Sequence, residues 1–226
     1  MESKADSYSC TRNLEPFYEE LKKLSIRQVI NLSEVESNDN IALTDEADDL
    51  GMFCYTRDLD MDEVDNFTSE CRGIVFDARG KLVSRAFGYT PIYSVKPYQK
   101  YKTLPADLEE FLTDHFSACQ FFPAYEGALV RAFFHEGKWY LTTHRKLDAY
   151  KSFWGCRTSF GQMFQNALAH LKKTEENPVP AFLDSLEKEK QYVFLLVSTQ
   201  ENRVVCTPPE HPTVLHVGTF QDGVMV

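Results

Sequence analysis

No apolar run in this 226-residue chain approaches the roughly 18 residues needed to cross a bilayer. The polar start MESKADSYSC has no apolar core of the kind a secretory leader needs, so a soluble, intracellular protein is expected. No CxxC pair occurs. The six cysteines (Cys10, Cys54, Cys71, Cys119, Cys156 and Cys206) are far apart and none has a histidine at ligand spacing. That pattern argues against a structural zinc site or a disulfide framework and for scattered reduced thiols. The six histidines are equally dispersed, and surface or satisfied core roles are expected of them. Also missing are GxGxxG, a Walker loop, HExxH and GxSxG, which removes the common dinucleotide, P-loop, zincin and serine-hydrolase signatures. No internal repeat or Pro/Gly/Ser-rich linker marks a boundary, so 1–226 reads as one domain.

What is present is ordinary globular material, 43% hydrophobic and 26% charged, enough to bury a sizeable core. The net charge of −10 is concentrated. Residues 33–66 hold twelve acids (Glu34, Glu36, Asp39, Asp45, Glu46, Asp48, Asp49, Asp58, Asp60, Asp62, Glu63, Asp65) against one base, Arg57, so the remaining chain sums to +1. Residues 69–103 carry seven bases and two acids. A basic stretch beside an acidic lobe permits an anionic ligand, and solvated faces explain the same numbers.

Periodicity predicts an opening helix in NLEPFYEELKKL, capped by Asn13. The acidic window reads as loops with short strands such as MFCYTR. Hairpins are predicted in CRGIVFDARGKLVSRAF, turning at DARGK, and in GALVRAFFHEGKWYLTTHR, turning at HEGK. PADLEEFLTDHF, with Pro105 at its first position, TSFGQMFQNALAHLKKT and PVPAFLDSLEKEK read as helices. QYVFLLVSTQENRVVC and TVLHVGTF close the chain as strands. Strands outnumber helices and pair locally, so the expected class is α+β, with antiparallel β-sheets flanked by helices.

Four patches could carry chemistry. Arg72, in ECRGIVF, enters a strand where its guanidinium fork can meet a phosphate or carboxylate, or a structural ion pair. In KPYQKYKTL, Lys96, Lys100 and Lys102 alternate with Tyr98 and Tyr101, a pattern that suits phosphate contact with base stacking and equally suits a lysine-protected edge strand. In AYEG, Gly127 allows close backbone approach or positive φ, and Glu126 can accept from a ribose hydroxyl or from neighbouring amides. In STQENRVVC, Asn202 and Arg203 end a hairpin turn.

The ordered series ECRGIVF, SRAF, PYQKYKTL, AYEGALVRAFF…WYLTTHRK and FLLVSTQENRVV resembles the phage-type, tRNA-repair-like ATP-dependent RNA ligases of the covalent nucleotidyltransferase superfamily. The likeness covers about residues 70–206. It implies a nucleotidyltransferase (ligase-like) core, with ATP and Mg2+ as cofactors and RNA ends, tRNA included, as partners. The implied site is cytoplasmic, or a host cell in which a viral protein acts, with no membrane partner. In the family's KxDG motif a lysine attacks the α-phosphate of ATP. The matching residues here are Ala124, Tyr125, Glu126 and Gly127, so the carboxylate is kept and the nucleophile is gone. Arg72 matches the arginine beside the nucleotide, Lys100 a phosphate-contacting lysine, and Arg145 with Lys146 the lysine after the KxDG hairpin. Arg131 is placed in the same pocket, and Asn202 and Arg203 match a third motif. Leu195 stands where an acid is usual, the later EG and KxK motifs have no clear counterpart, and metal ligands are unassigned. The C-terminal motifs therefore read as absent.

Three accounts of Ala124 stand side by side: an engineered Lys→Ala change, a natural catalytically silent relative, and a misleading likeness. Beside the ligase stand three other functions. One is a non-catalytic module for nucleotides or RNA ends, another is a capping-type guanylyltransferase, and the last is an acidic interaction protein using residues 33–66.

Overall fold

The computed structural model describes residues 30–59, 64–85, 87–89, 93–94, 102–103, 106–118, 125–155, 157–174, 176–197 and 209–226. The elements run in the order α1 (Leu32–Glu36), β1 (Ile41–Ala47), β2 (Leu50–Tyr55), α2 (Asn66–Glu70), β3 (Arg72–Asp77), β4 (Leu82–Ser84), β5 (Tyr93–Ser94), β6 (Lys102–Thr103) and α3 (Ala106–Asp114). They continue with β7 (Ala128–His135), β8 (Lys138–Thr142), α4 (Phe160–Lys172), α5 (Val179–Asp184), β9 (Gln191–Val197), β10 (Thr213–Gln221) and β11 (Val224–Met225). The class is α+β. One antiparallel sheet has the order β1-β2-β3-β4 and the other β11-β10-β9-β7-β8, while β5 and β6 form a short parallel pair.

Alternation along the strands stacks these layers. On β7, Val130 and Ala132 join Phe160, Phe164 and Leu168 of α4 in one core, with Val179 and Leu183 of α5. The intervening Phe133 faces the other way, packing with Tyr140 and Leu147 against Leu50, Met52 and Val75 of the first sheet. The first sheet's far face buries Ile74 and Phe76 with Ile30, Val35 and Phe53. Two sheets thus lie face to face with helices outside both. The apolar positions 160, 164, 167 and 168 form the stripe that seats α4. Ser159 caps this helix by accepting from the Gln162 N–H, and Lys173 ends it at φ 52°.

The expected hairpins and the three helices at 106–114, 160–172 and 179–184 are present. The opening helix at 13–24 lies outside the described residues. Two expectations change. Pairing is not only local, since β9 inserts between β7 and β10 and joins strands more than 50 residues apart. In the acidic window the expected strand at MFCYTR is present as β2, and Ile41–Ala47, read as loop, is a strand paired with it in the first sheet.

Candidate functional site: an arginine cluster between the sheets

The cluster begins with a bulge. Phe53 pairs with Ile74 and Cys54 with Arg72, leaving Gly73 as the extra residue of β3, at φ +72°. A Cβ there would lie 2.6 Å from both the Cα and the carbonyl oxygen of His144, so the position accepts no side chain. A bulge of this kind re-aims the neighbouring side chain, and Arg72 lines an interior recess with Arg131, His144, Phe87, Leu129 and Val193. The recess measures about 20 Å³, the room of one water or one phosphate oxygen.

Arg131 enters from β7, on the same face as Leu129 and Phe133. It is 5% exposed. Its Nη2 donates to the Thr143 carbonyl at 3.0 Å, while Nε and Nη1 are buried without partners, as is Nε of Arg72. Arg145 comes from the turn after β8, in which the Thr143 hydroxyl accepts from the backbone N–H groups of Arg145 and Lys146. Its Nη2 reaches across to the Tyr55 carbonyl at 2.9 Å.

No described carboxylate forms an ion pair with Arg72, Arg131 or Arg145. The nearby Glu70 is taken by Arg85, at 2.7 Å. The like charges register on their neighbours. Burial, then the repulsion of Arg72, Arg145, Arg131 and Arg57, pushes His144 down to about 4, so its imidazole is neutral at physiological pH. Burial brings Arg131 down to about 10, against the pull of Cys54 and with the push of Arg72. The buried Cys54 thiol is raised by burial despite the arginines around it. A buried guanidinium with spare donors and no paired carboxylate carries a desolvation cost that an anionic group would offset.

Of the residues singled out in the sequence, Arg72 and Arg131 line the recess, and Arg145 lies close enough to act on His144 and Cys54. Lys146 turns away, its Nζ 3.0 Å from Asp45 Oδ1, whose Oδ2 accepts from the Leu147 N–H at 2.8 Å. Tyr125 is exposed, Glu126 half-buried, and Gly127 precedes β7. Gly127 does make a close approach, but to protein. A Cβ on it would fall 2.1 Å from the Leu196 carbonyl oxygen, with Leu195 Cδ1 at 3.0 Å. Lys100, Ala124, Asn202 and Arg203 lie outside the described residues.

Sequence reasoning missed His144 and Thr143, which sit in the quoted TTHRK, and the role of Gly73 in ECRGIVF. It also missed two features on the opposite rim. A wide groove of about 570 Å³ lies among Arg79, Lys81, Lys188, Lys190, Glu136 and Asp222. Its charges are mixed and several are satisfied locally, Lys190 by Glu187 and Asp77 by the N–H groups of Arg79 and Lys81. At its edge, ligand atoms of Asp49, His135 and Glu136 lie within 4.8 Å of one another. His135 Nε2 is already 3.3 Å from Asp49 Oδ2, and Glu136 is exposed.

Fold and site together define an α+β protein with an uncompensated cationic recess between two stacked antiparallel sheets. No protein-family model matches the chain. Three curated viral proteins are similar to it. The "Immediate-early protein ICP-46 homolog" of Invertebrate iridescent virus 6 is 40% identical over 99 residues, 40% of this chain and 21% of that protein. The protein of the same name in Invertebrate iridescent virus 3 is 32% identical over 116 residues, 51% of this chain and 24% of that one. "Immediate-early protein ICP-46" of Frog virus 3 (isolate Goorha) is 32% identical over 102 residues, 41% of this chain and 26% of its own length. The chain thus spans only about a quarter of the length of these relatives. No helix among the described residues is long and apolar enough to cross a membrane.

Proposed function

We propose that this chain is the nucleotidyltransferase portion of an ATP-dependent RNA ligase-type protein, with Ala124 in the place of the nucleophilic lysine. The observation that carries the proposal is the meeting of Arg72 and Arg131 at one recess, with buried donors unpartnered, Arg145 close by and no described carboxylate paired with any of the three. A triphosphate or a 5′-phosphate end supplies the missing charge. In the complete reaction the amine of a lysine at 124 attacks the α-phosphorus of ATP, a P–N bond forms, and the bond to the β-phosphate breaks as pyrophosphate leaves. AMP then passes to an RNA 5′-phosphate, and a 3′-hydroxyl displaces it.

The roles of this chain's own residues follow from their positions. Arg72 and Arg131 hold one phosphate oxygen from inside the fold, where low dielectric strengthens the contact. Neutral His144 adds a hydrogen-bonding group at the recess wall without further charge. Arg145, tied to Tyr55, has the rest of its fork for an outer phosphate. The arginine cluster offers a divalent cation no described carboxylate, so Mg2+ would arrive on the nucleotide's own phosphates. The similarity to viral immediate-early proteins favours action inside an infected cell.

Leu195 favours a second reading, a module that holds a nucleotide or an RNA end without chemistry. It lies apolar against Gly127, where the ligase family carries an acid. Incubating the chain and its Ala124→Lys version with α-labelled ATP or GTP, then running a denaturing gel, separates the two. The ligase reading expects label on the lysine version only and from ATP. Preference for GTP points to a capping-type enzyme. An unlabelled lysine version that still binds ATP leaves the binding module.

A further inference from the structure

We propose that the loop at 150–155 is a stacking platform for single-stranded RNA, leading the strand toward the arginine recess. The choice of RNA over another anionic strand rests on the ligase reading, while the platform itself rests on the loop. Tyr150-Lys151-Ser152-Phe153-Trp154-Gly155-Cys156-Arg157 holds three aromatics and two bases, and no acid occurs between 149 and 161. Phe153 is 55% and Trp154 62% exposed, side by side. Two adjacent rings of this size left in water go against the area term that buries aromatics elsewhere in the molecule.

The loop is held firmly by residues other than its exposed rings. The Tyr150 ring lies on Gly161 of α4 so closely that a Cβ there would come within 2.5 Å of it, and its hydroxyl donates to Gln165. The Asp148 carboxylate accepts from the Tyr150 N–H at 2.9 Å. The Ser152 carbonyl accepts from the Phe160 N–H at 2.9 Å, and the Ser152 N–H donates to the Ala149 carbonyl. A platform whose ends are fixed orders little on binding, which keeps the entropic cost of capturing a flexible strand down.

Thr143 joins the loop to the recess. Its carbonyl accepts from Arg131, its hydroxyl accepts from the N–H groups of Arg145 and Lys146, and the same hydroxyl lies 3.4 Å from Ser152 Oγ. Residues 143–157 carry Arg145, Lys146, Lys151 and Arg157 against Asp148, a local +3 in a chain of −10. Lys146 and Lys151 have carboxylate partners, whereas Arg157 forms no ion pair among the described residues. Positive charge attracts any polyanion. Exposed rings select a strand whose base faces are free, which a duplex does not offer.

The test uses the full chain, a labelled oligouridine of about 12 nucleotides and a duplex of equal length. Tighter binding of the single strand is expected, weakened roughly tenfold or more by Trp154→Ala and by Phe153→Ala, with Trp154→Phe recovering most of it. ATP affinity and thermal stability of the variants should match the parent. Unchanged RNA affinity in both alanine variants would overturn the platform, as would equal affinity for the duplex. So would the absence of RNA binding alongside Trp154-dependent binding to phosphatidylserine vesicles. If Ala124→Lys stays unlabelled while Trp154-dependent binding holds, the ligase reading falls and the platform stands.

Discussion

Gly73 and His144 meet backbone to backbone: a Cβ on the first would lie 2.6 Å from the Cα of the second. That approach brings the bulge of the first sheet against the turn that follows β8 of the second. Gly73→Ala must both leave φ +72° and push the turn away. A loss of roughly 2–3 kcal/mol in urea denaturation is expected, with nucleotide affinity falling by more than stability explains.

Arg131 is a cost to the empty protein. Its charge is buried with two unpartnered nitrogens and no counter-ion. Replacing it with the similarly long, uncharged Met should raise the unliganded melting temperature, by the equivalent of about 1–2 kcal/mol. On the proposed function, ATP or pyrophosphate should stabilise the parent and leave this variant unmoved. A thermal-shift series with and without pyrophosphate reads both signs, and a destabilised empty variant would count against this account.

His144 sets an acid limit. Its folded value of about 4 lies below the ordinary 6.5, so between those values the unfolded chain takes up a proton that the folded one refuses. Stability is unaffected by this group above pH 6.5, falls as pH drops, and stops falling below about 4. Between pH 7 and 5 the loss is about 2 kcal/mol. Urea midpoints at the two pH values should show it, and His144→Gln should flatten the difference.

Asp45 should prove structural. It holds Lys146 Nζ and the Leu147 N–H across the sheet interface. Asp45→Ala leaves both donors without that acceptor, and a loss of about 1–2 kcal/mol is expected. Nucleotide affinity should stay near the parent's, because Lys146 is directed away from the arginines. A binding titration at a temperature where both proteins are folded checks this.

The hairpins were legible because DARGK and HEGK place turn residues between β-rich runs, and α4 because its stripe repeats at helical spacing. The strand at 41–47 was not, since Asp45 and Glu46 speak against a strand locally and pairing with β2 overrides them. Arg72, Arg131 and Arg145 were legible as chemically suitable groups in the right order. The meeting of Arg72 and Arg131 was hidden because it depends on Gly73 adopting φ +72°, which only His144, 71 residues later, makes necessary. Gly127 drew notice for the right property, close approach, but a neighbouring strand and no ligand occupies the space.

The insertion of β9 between β7 and β10 has a consequence for how the chain comes to exist as a folded molecule. The recess takes Arg72 from one sheet and Arg131 from a strand whose partner is made some 60 residues later. A ribosome therefore releases most of the chain before the cationic pocket can close, and closing it brings like charges together without a counter-ion. An anion that occupies the recess would then act during maturation, drawing newly made chains into the native state by mass action.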